Sequence, residues 1–122
     1  MVVLTGRVVT GVGNFSYWIE KLKDHYQRKT GMSLFPGTLN VSLEEEYSVP
    51  ANALRLEAEE YGGTVSVNIV PCRFFGERAV ILRTDAAERG SKTIVEVACE
   101  VKLRDKNRLR EGDVVRVEVL TD

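Results

Sequence analysis

Short strand-like segments recur along the whole sequence, and they limit the fold more than any other feature. Apolar and β-branched residues concentrate in six segments, residues 2–9, 38–43, 64–70, 79–82, 94–99 and 114–119. In several of them apolar and polar residues alternate, which is typical of a strand with one buried face. Six strands in a flat sheet would leave exposed edges, so we predict a small closed or nearly closed β-barrel.

One segment has helical periodicity instead. Between the first two strands, apolar and aromatic residues recur at a spacing of three to four, with charged residues between them, at Trp18, Ile19, Leu22, His25 and Tyr26. Ser16 or Asn14 could cap the start of this helix, and Thr30-Gly31 could end it. We expect the apolar stripe to pack into the core.

Three other segments are less regular. Residues 50–61 fit a helix ended by Gly62-Gly63, but Leu54, Leu56 and Ala58 also fit a period of two. Residues 83–92 are polar and predict a long connecting loop. Residues 103–109 predict a charged connection before the last strand.

Composition excludes several function classes. The chain has 122 residues, 43% of them hydrophobic, which suits one domain over residues 1–122 with one core. Charged residues make up 29% but the net charge is only -1, so we expect neither a nucleic-acid nor a membrane partner. No oligomeric state is predicted.

The cysteines and the N-terminus indicate a cytoplasmic protein. Cys72 and Cys99 lie in apolar runs of a chain without an export signal, so we expect reduced core thiols. The only histidine, His25, cannot make a zinc site without suitable partners. No apolar run approaches membrane-spanning length.

Two glycines, Gly11 and Gly13, lie between the first strand and the helix. Glycines let a backbone approach phosphate oxygens, and a following helix start attracts anions. The segment could therefore be an anion site, or simply a turn. Ser16 stands where a dinucleotide fingerprint has its third glycine, and no Walker-type phosphate-binding motif is present.

A Pro-Gly turn at Pro36-Gly37 leads into the second strand. Alternation directs the side chains of Leu39, Val41 and Leu43 into the core. Thr38, Asn40 and Ser42 then share the opposite face. These polar groups could form an oxygen-rich site or the solvent face of an ordinary strand.

Two further features could carry chemistry. Glu96 lies within an apolar strand, where a carboxylate must face solvent, find a partner or line a cleft. A basic cluster between Lys102 and Arg110 could contact phosphates, or could be a solvated surface beside nearby acidic residues.

Taken together, the chain resembles the archaeal-type CTP-dependent riboflavin kinases. The resemblance rests on four segments in the same order. They are residues 6–13 with Gly-x-Gly, the run Pro36-Gly37-Thr38-Leu39-Asn40-Val41, the strand Ile94-Val95-Glu96-Val97-Ala98, and Leu103-Arg104 with residues 109–115. The Pro-Gly-Thr-Leu-Asn-Val run is the most specific of them.

The resemblance implies a mostly β fold, a six-stranded cradle-loop (RIFT-type) β-barrel with one main α-helix after the glycine-containing loop. It implies transfer of the γ-phosphoryl of CTP to the 5′-hydroxyl of riboflavin, giving FMN and CDP. Mg²⁺ would be held by Thr38 and Asn40, and Glu96 would face the flavin ribityl chain as the catalytic, flavin-binding carboxylate. Nucleotide contacts would come from Gly11, Val12, Gly13, Asn14, Phe15, Ser16, Val101, Lys102, Leu103 and Arg104.

The sequence departs from the family pattern in three places. Phe15 occupies the position of a third glycine in the loop. No histidine is present in residues 83–90, where the family has a Thr-His-His segment whose threonine contacts the flavin. The proline usual after the glutamate strand is replaced near Cys99 and Glu100.

Other functions are compatible with the same fold. A barrel of this family could bind a flavin or a nucleotide without catalysis. Cradle-loop barrels also include DNA-binding regulators, although the net charge of -1 argues against that function here.

Overall fold

In the computed structural model, residues 2–11, 15–90 and 92–120 are described, and they form seven strands and several short helices. The strands are β1 Val2–Val9, β2 Leu39–Leu43, β3 Leu54–Leu56, β4 Val67–Phe74, β5 Glu77–Thr84, β6 Ile94–Cys99 and β7 Val114–Val119. The helices are α1 Phe15–Lys21, α2 Lys23–Thr30, α3 Asp85–Arg89 and α4 Leu103–Lys106, with a 3₁₀ turn at Ala58–Tyr61. None of these described helices is long and apolar enough to cross a membrane.

Six of the strands close into a barrel, as predicted. The order is β4-β5-β6-β2-β1-β7, every neighbouring pair is antiparallel, and β7 returns to β4 through Cys72↔Val119 and Arg73↔Glu118. The short strand β3 pairs with the other half of the same β4 edge, from Leu54↔Ile69 to Leu56↔Val67. The closed barrel therefore carries one additional strand that the sequence did not predict.

The core has two parts, one on each side of the barrel wall. The barrel interior is filled by a cluster that includes Val8, Val41 and Val97, all fully buried. A second cluster joins Ile19 and Tyr26 of the helices to the outer faces of β3, β4 and β5. Strands β4 and β5 are therefore covered on both faces, which explains why their sequences are apolar on both sets of alternating positions.

The predicted helix is present, but it is divided at Leu22 into α1 and α2. It ends as expected, because Gly31 has a left-handed φ of 73° and its N–H donates to the Gln27 carbonyl. The prediction that Ser16 caps the helix is wrong, since the helix already begins at Phe15. Asn14, the other predicted cap, lies outside the described residues.

Two irregular segments differ from their predicted structures. Residues 50–61 do not form one helix, because Leu54–Leu56 pairs with β4 and only Ala58–Tyr61 turns into a 3₁₀ helix. Residues 83–92 are not one loop, since β5 continues through Thr84, whose side chain caps α3 by accepting from the Ala87 N–H. Cys72 and Cys99 are free and buried, as expected.

Arg83 is a buried charge that the sequence did not reveal. Its guanidinium donates to the Tyr47 and Ile94 carbonyls and forms an ion pair with Glu88 at 2.9 Å, while its side chain is only 2% exposed. One planar donor group thus ties β5 to two chain segments that are distant in sequence.

Arg83→Lys is expected to lower the free energy of unfolding by about 1–3 kcal/mol, because an ammonium cannot reach all of these acceptors at once. Urea unfolding of the variant and the wild type measures the effect. Arg73→Lys on exposed β4 surface is the matched control and should change stability by less than about 0.5 kcal/mol. Equal decreases in the free energy of unfolding in the two variants would contradict the assigned role of Arg83.

Candidate functional site

A cleft of about 410 Å³ opens at the end of the barrel where β1 ends and β2 begins. Four segments line it: residues 9–11 at the end of β1, residues 15–16 at the start of α1, residues 35–40 through the Pro-Gly turn, and residues 102–104 before and within α4. Glu96 of β6 completes the lining. Distant parts of the sequence therefore meet at one barrel end.

The polar face of β2 contributes two oxygen-bearing groups to this cleft. Asn40 lies directly opposite Glu96 in the antiparallel β2–β6 pair, so their side chains share one face of the sheet. Thr38 precedes Asn40 by two residues, and its hydroxyl donates to Glu96 Oε1 at 2.7 Å. Of the predicted polar face, Thr38 and Asn40 line the cleft, whereas Ser42 does not.

Gly11 brings the backbone after β1 against the Asn40 carboxamide. A Cβ atom built on Gly11 would lie 2.1 Å from Asn40 Nδ2 and 2.6 Å from Asn40 Oδ1. A side chain at position 11 cannot coexist with this placement of the amide. The glycine is therefore required here by a close approach of backbone to side chain.

Glu96 is partly withdrawn from solvent. Burial raises the pKa of Glu96 above the ordinary glutamate range, and the hydrogen bond from Thr38 opposes part of this shift. The folded state therefore holds a proton on this carboxyl more readily than the unfolded chain does.

Glu96→Gln is expected to raise the melting temperature at pH 8 by a few degrees. A raised folded-state pKa means that the stabilising contribution of Glu96 is fully present below the unfolded pKa of about 4.3 and is lost as pH rises through the folded pKa. Glutamine avoids that loss and can still accept the Thr38 hydrogen bond. Melting curves between pH 4 and pH 8 should converge at the acidic end; a pH-independent difference would contradict the prediction.

The donor atoms around Glu96 suit a hard divalent cation. The Thr38 hydroxyl donates a hydrogen bond to Glu96, which leaves the lone pairs of the hydroxyl oxygen available. Among the described residues, no hydrogen bond occupies the Asn40 side chain. The described part of the chain has no group of three or more acidic, histidine or cysteine side chains that could hold a metal ion. Mg²⁺, however, commonly takes few protein ligands. Thr38 and Asn40 supply oxygen donors of the kind that Mg²⁺ prefers, so these two residues could hold the ion.

Part of the cleft lining is basic. Lys102 and Arg104 line the cleft, with Leu103 buried between them. Their ion pairs, with Asp105 at 3.7 Å and with Glu111 at 3.9 Å, are exposed and long. Both cations can therefore exchange these partners for an anionic ligand at little cost.

The remaining predicted nucleotide contacts have different placements. Phe15 and Ser16 line the cleft, as does Gly11. Val101 is 37% exposed and does not line it. Val12, Gly13 and Asn14 lie outside the described residues.

Sequence reasoning did not assign six of the lining residues to the site, namely Val9, Thr10, Phe35, Pro36, Gly37 and Leu39. Thr10 and Phe35 both line it, and each directly adjoins a segment that was singled out, the glycines and the Pro-Gly turn. Adjacency to those segments was the available signal. Residues 83–90, where the sequence departs from the family pattern, contribute nothing to the lining described here.

Comparison with known proteins agrees with this architecture. Residues 8–119 match the family model CTP-dep_RFKase, described as domain of unknown function DUF120. A riboflavin kinase of Methanocella arvoryzae is 34% identical over 94% of this chain and 56% of its own length. One of Pyrobaculum arsenaticum is also 34% identical, over 96% of this chain and 60% of its own length.

A shorter relative covers the same region. The riboflavin kinase of Methanobrevibacter smithii is 29% identical over 94% of this chain and 98% of its own length. The chain thus spans little more than half the length of the first two relatives and nearly all of this one. The match to the family model covers all of the barrel strands except the greater part of β1. The chain belongs to the CTP-dependent riboflavin kinase family.

Proposed function

We propose that this chain is a riboflavin kinase that transfers the γ-phosphoryl group of CTP to riboflavin. The observation that carries the proposal is the meeting of Thr38, Asn40 and Glu96 with Gly11 and a basic wall at one cleft. These groups come from separate segments of the chain. The chain belongs to a family, and the relatives named above are riboflavin kinases. Family membership and site chemistry therefore support the same activity.

The reaction requires one bond to break and one to form. The bond between the γ-phosphorus and the bridging oxygen of CTP breaks, and a new bond joins that phosphorus to the riboflavin 5′-oxygen. The hydroxyl proton leaves, and the products are FMN and CDP. Phosphoryl transfer depends chiefly on positioning and charge neutralisation, so Glu96 is proposed to orient the hydroxyl by accepting its hydrogen bond and to receive its proton.

Charge neutralisation is divided between two parts of the cleft lining. Thr38 and Asn40 are proposed to hold Mg²⁺, which when bound neutralises phosphate charge. Lys102 and Arg104 are proposed to contact the nucleotide from the basic part of the lining, with Gly11, Phe15 and Ser16 along the loop. Arg104 offers a fork of N–H donors that matches phosphate oxygens.

The test is formation of FMN. The protein is incubated with riboflavin, Mg²⁺ and CTP, ATP, GTP or UTP in turn, and FMN is measured by chromatography. FMN is expected with CTP, and Thr38→Ala and Asn40→Ala should each abolish it while the melting temperature stays near that of the wild type. Ser42→Ala is the matched control, since Ser42 lies on the same strand but outside the cleft.

Other outcomes would redirect the assignment. FMN made with ATP but not with CTP would support the proposed kinase activity and contradict CTP as the phosphoryl donor. No FMN with any nucleotide, together with measurable flavin or nucleotide binding, would favour a binding barrel without catalysis. Loss of activity in Ser42→Ala equal to that in Asn40→Ala would contradict the assigned metal pair.

A further inference from the structure

Glu111 contacts two residues that line the cleft without lining it itself. Its Oε1 atom accepts a hydrogen bond from the Thr10 hydroxyl at 2.6 Å, and the same atom lies 3.9 Å from Arg104 Nη2. Thr10 and Arg104 both line the cleft, although they come from segments that are distant in sequence. One carboxylate oxygen therefore contacts the glycine-loop side and the basic side together.

The turn that carries Glu111 is itself held by backbone hydrogen bonds to β1 and to α4. The Gly112 N–H donates to the Val8 carbonyl at 2.7 Å, and the Val8 N–H donates to the Asp113 carbonyl at 2.9 Å. Towards α4, the Leu109 N–H donates to the Arg104 carbonyl at 2.8 Å. The glutamate thus projects from a backbone position that is fixed relative to β1 and α4.

The two contacts of Glu111 differ in strength. A short hydrogen bond from a hydroxyl to a charged oxygen is a strong interaction, whereas an exposed ion pair at 3.9 Å contributes little. The contact with Thr10 is therefore the persistent one. The contact with Arg104 is weak enough for an anionic phosphate to replace it.

On the basis of the proposed function, we propose that Glu111 is a positioning residue for the nucleotide. It holds the Thr10 hydroxyl, and with it the adjoining Gly11 backbone, in the position that receives the phosphates. Its ion pair with Arg104 holds the guanidinium at the cleft edge and is released when the phosphates bind. Glu111 therefore helps nucleotide binding through Thr10 and opposes it slightly through Arg104.

The opposing effects can be separated by substitution. Glu111→Ala removes the acceptor for Thr10, and Thr10→Val removes the donor, so each should raise the Kd for CTP about tenfold. The double variant should be no weaker than either single variant, because both remove the same bond. Glu111→Gln keeps an oxygen acceptor for Thr10 but releases Arg104, so its Kd should equal the wild-type value or fall by up to about threefold.

Calorimetric titration with CTP and Mg²⁺ measures these constants, and FMN formation gives KM and kcat. The effects should appear in the Kd and KM for CTP, with kcat changed by less than about threefold. Glu20 is an exposed glutamate on α1, so Glu20→Ala is the matched control and should leave the Kd and the KM for CTP unchanged. Melting curves of every variant exclude loss of fold as the cause.

Three results would overturn the inference. These are an unchanged Kd in Glu111→Ala or Thr10→Val, additive losses in the double variant, or equal weakening in Glu111→Gln and Glu111→Ala. If the protein bound CTP but made no FMN, the proposed kinase activity would fail while the Kd series still decided the role of Glu111. Absence of binding by any nucleoside triphosphate would overturn both.

Discussion

Gly11→Ala is expected to reduce FMN formation by about 100-fold or more while the melting temperature changes little. The new Cβ would lie 2.1 Å from Asn40 Nδ2, and the amide is the end of a side chain that can rotate away. The barrel then keeps its packing, but Asn40 no longer presents its oxygen beside Thr38. Displacement of a positioning group by about 1 Å can cost about 100-fold in rate. Chromatographic measurement of FMN formation and a melting curve test both parts.

The matched control is Gly90→Ala. The nearest atoms to a Cβ at Gly90 are carbonyl oxygens at 3.7 Å, which is an ordinary contact. This variant should retain wild-type activity and stability. Full activity in Gly11→Ala would show that the position of the Asn40 amide is not needed, and would remove the basis for the proposed metal pair.

Gly6→Ala is expected to lower the free energy of unfolding by about 3 kcal/mol or more, with a fall in melting temperature of roughly 10 °C or more. A Cβ at Gly6 would lie 2.3 Å from the Ser42 carbonyl oxygen and 2.9 Å from its carbon. These are backbone atoms of β2, which is paired with β1 on this side and with β6 on the other. No side-chain rotation can relieve the clash, so β1 and β2 must move apart.

Chemical denaturation and thermal melting of Gly6→Ala beside Gly90→Ala measure this difference. Together the three glycine variants show whether an added methyl group at a glycine impairs folding or activity. The contact of Gly6 is with backbone and should affect folding, whereas the contact of Gly11 is with a side chain and should affect activity. A Gly6→Ala protein as stable as the wild type would show that the β1–β2 pair adapts to the added methyl group.

Local sequence signals were sufficient to predict the barrel and the strand face that lines the cleft. Alternation in residues 38–43 correctly directed Leu39, Val41 and Leu43 into the core, with exposed fractions of 7% or less. The same alternation placed Thr38 and Asn40 on the face that the structure shows lining the cleft. These assignments depended only on the period of a strand, which is a local property.

Properties set by distant pairing were not predictable. The apolar residues on both faces of β6 left the orientation of Glu96 open, and only its register with Asn40 resolves it. Arg83 looked like the start of a polar loop, yet its acceptors come from residues 47 and 94. Residues 54–56 have both periodicities, and pairing with β4 selected the strand. In each case tertiary contacts decided the outcome.

The pairing of β1 with β7 has a consequence for synthesis on the ribosome. These strands pair from Val2↔Val119 to Arg7↔Val114, so β1 has no partner on this edge until β7 has emerged. The β4–β5 hairpin, with Phe74 opposite Glu77, can form early because its contacts are local. Closure of the wall beside Thr10 and Gly11 therefore follows the formation of this hairpin, and a nascent chain should acquire ligand-binding ability only after β7 has emerged.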